Sequence, residues 1–188
     1  MKSFGRLLMA AALIVPLGVA TAQSAGAGSL PSVSGCSGSG TIKAKPGLLL
    51  RATASQTFGV TGAALTGCTG DNGGAAGDAT LTLSVQSASS ANCKTIRNKV
   101  NRGAGRIVWA EAHAGTSTAK INVTIVGNSK VTITGKVTST DYKGQAISGS
   151  GSFTPNLNAK GTAGGGCSLN SKLKSLALTI DSFAIAGK

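Results

Sequence analysis

The stretch INVTIVGNSKVTITGKV, residues 121–137, decides the fold. Ile121, Val123 and Ile125 alternate with Asn122 and Thr124. Val131, Ile133, Gly135 and Val137 alternate with Thr132, Thr134 and Lys136. A period of two sends successive side chains to opposite faces of a strand. Between the two runs stands Gly127-Asn128-Ser129, a triplet of turn-forming residues. The segment therefore predicts a hairpin, apolar on one face and polar on the other, as in a half-buried antiparallel sheet.

The same alternation recurs on both sides. Upstream it runs through Ile42 and Ala44, with Lys43 and Lys45 between and after them. It continues through Phe58, Val60, Gly62 and Ala64, through Leu81, Leu83 and Val85, and through Ile107 and Trp109. Downstream it runs from Ile147 to Phe153 by way of Gly149 and Gly151, and then through Leu176, Leu178 and Ile180. Asp141-Tyr142-Lys143-Gly144 reads as a second tight turn and Thr69 to Gly77 as a glycine-rich loop. No window has a helical period, although Asn92 to Val100 has room for one helical turn. About eight strands with short connections predict an all-β antiparallel domain, either an up-and-down barrel or a sandwich. A lipid-spanning barrel is argued against. Its outward positions would be apolar with aromatic girdles, whereas here they are Thr, Ser, Asn and Lys.

The N-terminus is of a different kind. Lys2 and Arg6 precede an apolar run, Leu7 to Ala20, that ends in Ala20-Thr21-Ala22. This pattern predicts a secretory signal peptide over residues 1–22. A membrane-spanning helix needs roughly 20 apolar residues, and this run is shorter and contains Pro16. Residues 23–35 are small and polar and read as a flexible linker. Residues 36–188 form the β domain. No later segment is apolar enough to span a membrane.

Four cysteines follow the leader: Cys36, Cys68, Cys93 and Cys167. In an exported chain an even count predicts disulfides. A metal site fits poorly, because no two cysteines are close in sequence and His113 is the chain's one histidine. Four cysteines allow three connectivities. In an up-and-down arrangement Cys36 and Cys68 flank the first hairpin at one end. Cys93 and Cys167 follow the third strand and precede the last, at the other end. The expected bridges are Cys36–Cys68 and Cys93–Cys167.

Catalytic constellations are weak. Glu111 and His113 share a strand face, but no nucleophile elbow accompanies them. The carboxylates after the leader are Asp71, Asp78, Glu111, Asp141 and Asp181, and three of them stand in turn-like surroundings. A glycosidase pair is not expected. The glycine clusters Gly73-Gly74 and Gly164 to Gly166 lack the Lys-Ser/Thr tail of a phosphate-binding loop. No cofactor, metal or enzymatic activity is expected.

Charge is the strongest chemical signal. The chain has a formal net charge of +13, and +11 once Lys2 and Arg6 leave with the leader. The densest run is Lys94, Arg97, Lys99, Arg102 and Arg106, five cations in 13 residues with no acid among them. It reads as an anion-binding patch on a connection, suited to anionic cell-surface or extracellular polymers. Lys43, Lys136 and Lys143 read as scattered background charge. No aromatic residue lies within the run to stack bases, and specific nucleic-acid recognition is not expected.

CSGSGTIKAKPGL at 36–48, LTGC at 65–68 and GRIVW at 105–109 resemble small secreted β-rich proteins of actinobacteria. That resemblance implies a secreted β domain and carries over no catalytic residue. The expectation is a secreted, non-catalytic protein, extracellular or associated with the cell wall, that binds anionic polymers. The alternatives are a lipocalin-like carrier of a small apolar ligand and, third, a hydrolase using His113.

Overall fold

A computed structural model describes residues 32–70, 77–110, 115–139, 142–158 and 166–186. The described strands are β1 (Val33–Leu48), β2 (Thr57–Thr66), β3 (Thr69–Gly70), β4 (Ala79–Gln86), β5 (Val100–Trp109), β6 (Thr116–Val126), β7 (Lys130–Val137), β8 (Ala146–Thr154) and β9 (Leu173–Ala186). Pairing runs β2-β4-β5-β6-β7-β8-β9-β1, and β1 pairs again with β2. Eight antiparallel strands thus close an up-and-down barrel, and the two-residue β3 adds to the edge of β1. Closure removes the open sheet edges that would otherwise invite pairing with another chain.

The quoted hairpin forms as read. Val126 faces Lys130 and Ile121 faces Gly135 across β6 and β7. Ile121, Ile125, Val131, Ile133 and Val137 are buried, while Asn122, Thr132, Thr134 and Lys136 are exposed or half-exposed. All eight alternating runs lie on barrel strands. Apolar side chains fill the inside and polar ones cover the outer wall, opposite to the pattern of a lipid-spanning barrel. No helix among the described residues is long and apolar enough to cross a membrane.

Two expectations need correction. The expected linker ends at residue 35, but β1 starts at Val33, which is 1% exposed and pairs with Gly70 and Ile185. Burying that valine ties the chain down ahead of Cys36. In β2 the inward set is not Phe58, Val60, Gly62 and Ala64. It is Phe58, Val60, Ala63 and Leu65. A bulge between Val60 and Ala63 inserts one residue, and Gly62 accommodates it at a φ of 66°. One inserted residue reverses the phase of everything beyond it.

The barrel is narrow and filled. At Gly105 an added Cβ would lie 2.8 Å from the Ile121 Cγ1 and 3.1 Å from the Leu83 Cδ2. Glycine there leaves room for the large side chains of β4 and β6. The expected cost of Gly105→Val is about 1–3 kcal/mol through overpacking, read as a lower denaturant midpoint. An unchanged midpoint would show that this layer has slack.

The two bridges are Cys36–Cys68 and Cys93–Cys167, as expected from the strand ends. At the Cys93 end the connections plug the barrel. Cys93 N donates to Leu49 O at 3.0 Å, Leu157 N to Asn128 O at 2.8 Å and Asn98 N to Ile125 O at 2.7 Å. The helical turn expected after Asn92 is present, since Ile96 N donates to Asn92 O at 3.0 Å. The Asn92 Oδ1 accepts from the backbone N of Lys94 and of Thr95, each at 2.9 Å, as an N-cap does. Ile96, Leu157 and Leu48 are fully buried beneath this plug. Gln56 Oε1 accepts from Gly47 N, and Gln56 Nε2 donates to Gly47 O.

Trp109 sits at the opposite end, 5% exposed. Its Nε1 donates to Ser117 Oγ at 3.4 Å, and its ring centroid lies 5.6 Å from that of Tyr142. Emission should therefore be blue-shifted and poorly quenched by acrylamide. A spectrum like that of tryptophan in water would mean that β5 presents its other face to the core.

Candidate functional site

The basic run spans the plug and the barrel wall. Lys94 is exposed on the plug. Arg97 is half-buried and holds the plug together: its Nε donates to Cys93 O at 3.1 Å and its Nη2 to Asn158 Oδ1 at 2.6 Å. Lys99 reaches Ser89 Oγ at 3.3 Å. Arg102 and Arg106 lie on β5, not on a connection, because the strand begins at Val100. Both point outward, in phase with exposed Ala104 and opposite to buried Ile107 and Trp109. This corrects the placement of the run on a connection: Arg102 and Arg106 stand on the barrel wall, and Lys99 lines one hollow together with Arg102.

The wall gains two cations that the linear run did not contain. Ala104 faces Lys120, and Lys120 faces Lys136. Arg102 faces Gln86 and Asn122, and Arg106 faces Thr82 and Thr118. Arg102, Arg106, Lys120 and Lys136 therefore occupy adjacent positions on the outside of β5, β6 and β7. None of their ladder partners is acidic. Lys136, expected to be scattered background charge, belongs to this group.

Shape follows from small residues. Ala104, Gly105 and Ala119 floor an open groove of about 540 Å³, bordered by Thr82, Ser84, Arg106, Thr118, Lys120 and Thr138. Thr118 Oγ1 lies 2.9 Å from Thr138 Oγ1. Arg106 Nη2 donates to Thr116 Oγ1 at 3.4 Å. A second hollow, next to the first on β5, is lined by Gln86, Ser87, Lys99 and Arg102 among others. The accessible lining of the groove itself is mostly apolar; the hydroxyls and cations at its borders suit the oxygens of an anionic chain lying along the wall.

Like charges placed directly opposite on neighbouring strands destabilise a sheet. The Lys120–Lys136 pair carries that cost, and a bound anion would relieve it. Arg102 and Arg106 stand four residues apart on one strand, about 13 Å at the usual rise. Cations spread over this length match a repeating anion better than a single phosphate.

The barrel interior offers little space. A cavity of about 30 Å³ lies among Ile42, Phe58, Val60, Leu83, Val85, Val123, Val131, Ile133 and Leu178. Pockets that hold small-molecule ligands run to several hundred Å³. Glu111, His113, Asp71 and Asp141 fall outside the described residues. Among the described residues, Asp78 and Asp181 flank or lie on strands separated by β1 and β2, and no group of metal-ligating side chains forms. Three buried amides escaped the sequence reading, Gln56 in the plug, Asn101 and Gln145. Asn101 Nδ2 donates to Lys99 O and Val123 O. Gln145 is 1% exposed, and neither of its amide atoms has a partner.

No family model matches this chain, and no curated protein or solved structure does.

Proposed function

We propose that this protein is a secreted, non-catalytic binder of linear anionic polymers, and that it grips them along the outer wall of β5, β6 and β7. The observation that carries this reading is the placement of Arg102, Arg106, Lys120 and Lys136 on one face with no acidic ladder partner. The two disulfides suit an extracellular or cell-wall location. A phosphate-rich wall polymer fits the surface best. The wall offers charge and hydroxyls at intervals and no aromatic ring for base stacking, which single-stranded nucleic acids use. The small interior supports a surface ligand over a carried apolar one.

The test uses long-chain inorganic polyphosphate as the probe. Changing Arg102, Arg106, Lys120 and Lys136 together to Gln should abolish most of the affinity measured by calorimetry. A control changes Lys94 and Lys143 to Glu, removing the same net charge at exposed positions off β5, β6 and β7, and should lose far less. Equal losses would mean that only net charge matters and that the wall is not a site. No salt-sensitive binding by the native protein would overturn the reading itself.

A further inference from the structure

A second set of cations lies on the other side of the barrel. Lys43 on β1 faces Ser175 on β9, and Lys45 follows two residues later on the same outward face. Lys174 and Lys172 come alongside them. A Cβ added at Gly47 would lie 3.1 Å from the Lys174 Cγ and 3.1 Å from the Lys172 Cβ. All four lysines are exposed. Asp181, the carboxylate on β9, is six residues beyond Ser175, about 20 Å along the strand.

Closure of the barrel fixes where this seam stands relative to the wall. In the circuit β1-β2-β4-β5-β6-β7-β8-β9, β6 is four strands from β1 in either direction. The β1–β9 seam and the β5–β7 wall are therefore on opposite sides. Eight strands at about 4.8 Å spacing and a typical tilt make a barrel roughly 15 Å across at the backbone. That exceeds the screening length of about 8 Å at physiological ionic strength. Each face thus attracts anions independently of the other, and a chain on one does not neutralise the other.

We infer that the protein is a cross-linker: it holds one anionic chain on the wall and a second on the seam. This rests on the proposed polymer binding and adds its geometry. Two sites facing apart on a stiff, closed barrel favour joining separate chains, because a chain on one face must bend around the barrel to reach the other. Linking chains through two sites raises overall avidity without any new contact.

Light scattering of long-chain polyphosphate mixed with the protein tests this. The native protein should form a scattering network near charge balance that clears when protein is in large excess. Changing Lys43, Lys45, Lys172 and Lys174 to Gln should leave calorimetric binding to the wall intact and reduce scattering to that of single polymer chains carrying bound protein. The equal-charge control, Lys94→Glu with Lys143→Glu, should still form networks. If the seam variant scatters like native protein, or if native protein binds yet stays clear, cross-linking is wrong while wall binding stands. If native protein does not bind at all, both fall together. Trp109 emission verifies that each variant is folded.

Discussion

Changing Cys93 and Cys167 together to Ala should lower stability by about 4 kcal/mol. The bridge closes a loop with a sequence separation of 74 residues. Opening a loop of that size frees the unfolded chain by about 4–5 kcal/mol in the chain-entropy model. The shorter Cys36–Cys68 loop, with a separation of 32, should cost somewhat less, about 3.5–4 kcal/mol. Either loss is a large share of the 5–15 kcal/mol typical of a domain. Location sharpens the difference. Cys93 anchors the plug through its N–H to Leu49 and its carbonyl to Arg97. Loss of its bridge should loosen the plug first, seen as faster amide exchange at Ile96 and Leu157. Urea melts of the two double variants check the magnitudes. A change under about 1 kcal/mol on removing Cys93–Cys167 would mean that the plug's hydrogen bonds and buried Ile96 already restrain this end. Unreduced native protein should show no reactive thiol on denaturation, since all four cysteines are paired.

Binding to the wall should also be steeply sensitive to salt. Each phosphate neutralised by Lys or Arg releases a condensed counterion, with a slope of about 0.7 per contact for a single-stranded polyanion. Four contacts give a slope of about 2.8. Affinity should therefore fall about 50-fold between 50 and 200 mM salt. The fourfold Gln variant of the wall should lose that component and keep only the weaker, salt-sensitive binding of the seam, whereas single replacements should each lower the wall's slope by about 0.7. Arg97→Gln should behave differently. Its guanidinium is tied to Cys93 O and Asn158 Oδ1, so its loss should weaken the plug and leave the slope nearly unchanged. A slope that falls as far for Arg97→Gln as for Arg102→Gln would return the site to the plug.

The eight-strand alternation, both bridges and the inward placement of Trp109 were legible in the sequence because a period of two and the order of strand ends carry that information directly. The phase of β2 beyond Val60 was not. A bulge changes which residues face inward without changing composition, and Gly62 alone, with Leu65 out of phase, hinted at it. The start of β5 was hidden for a different reason: Val100 to Arg106 reads Val-Asn-Arg-Gly-Ala-Gly-Arg, without an apolar alternation, and looks like a connection until strands on both sides pair with it.

The wall was only half legible. Arg102 and Arg106 stood out as neighbours in sequence. Lys120 and Lys136 did not, being 16 residues apart. Yet each lies eight residues from Asn128, at the middle of the turn in the quoted hairpin. Antiparallel pairing about that turn sets them opposite each other, and turn position fixes register in a hairpin. The opposing seam required more. Lys43 and Lys174 come onto one seam because β1 pairs with β9 to close the barrel, a pairing that no local pattern announces.

Amide chemical-shift mapping during titration with polyphosphate tests the wall most directly. Shifts should concentrate on Arg102 to Arg106 of β5, Thr118 to Asn122 of β6 and Thr134 to Lys136 of β7, and fade as salt is added, with a weaker set at Lys43 and Lys174 on the opposite seam. Shifts confined to the plug around Lys94 to Lys99, or to the mouth around Trp109 and Tyr142, would contradict a binding site on the barrel wall.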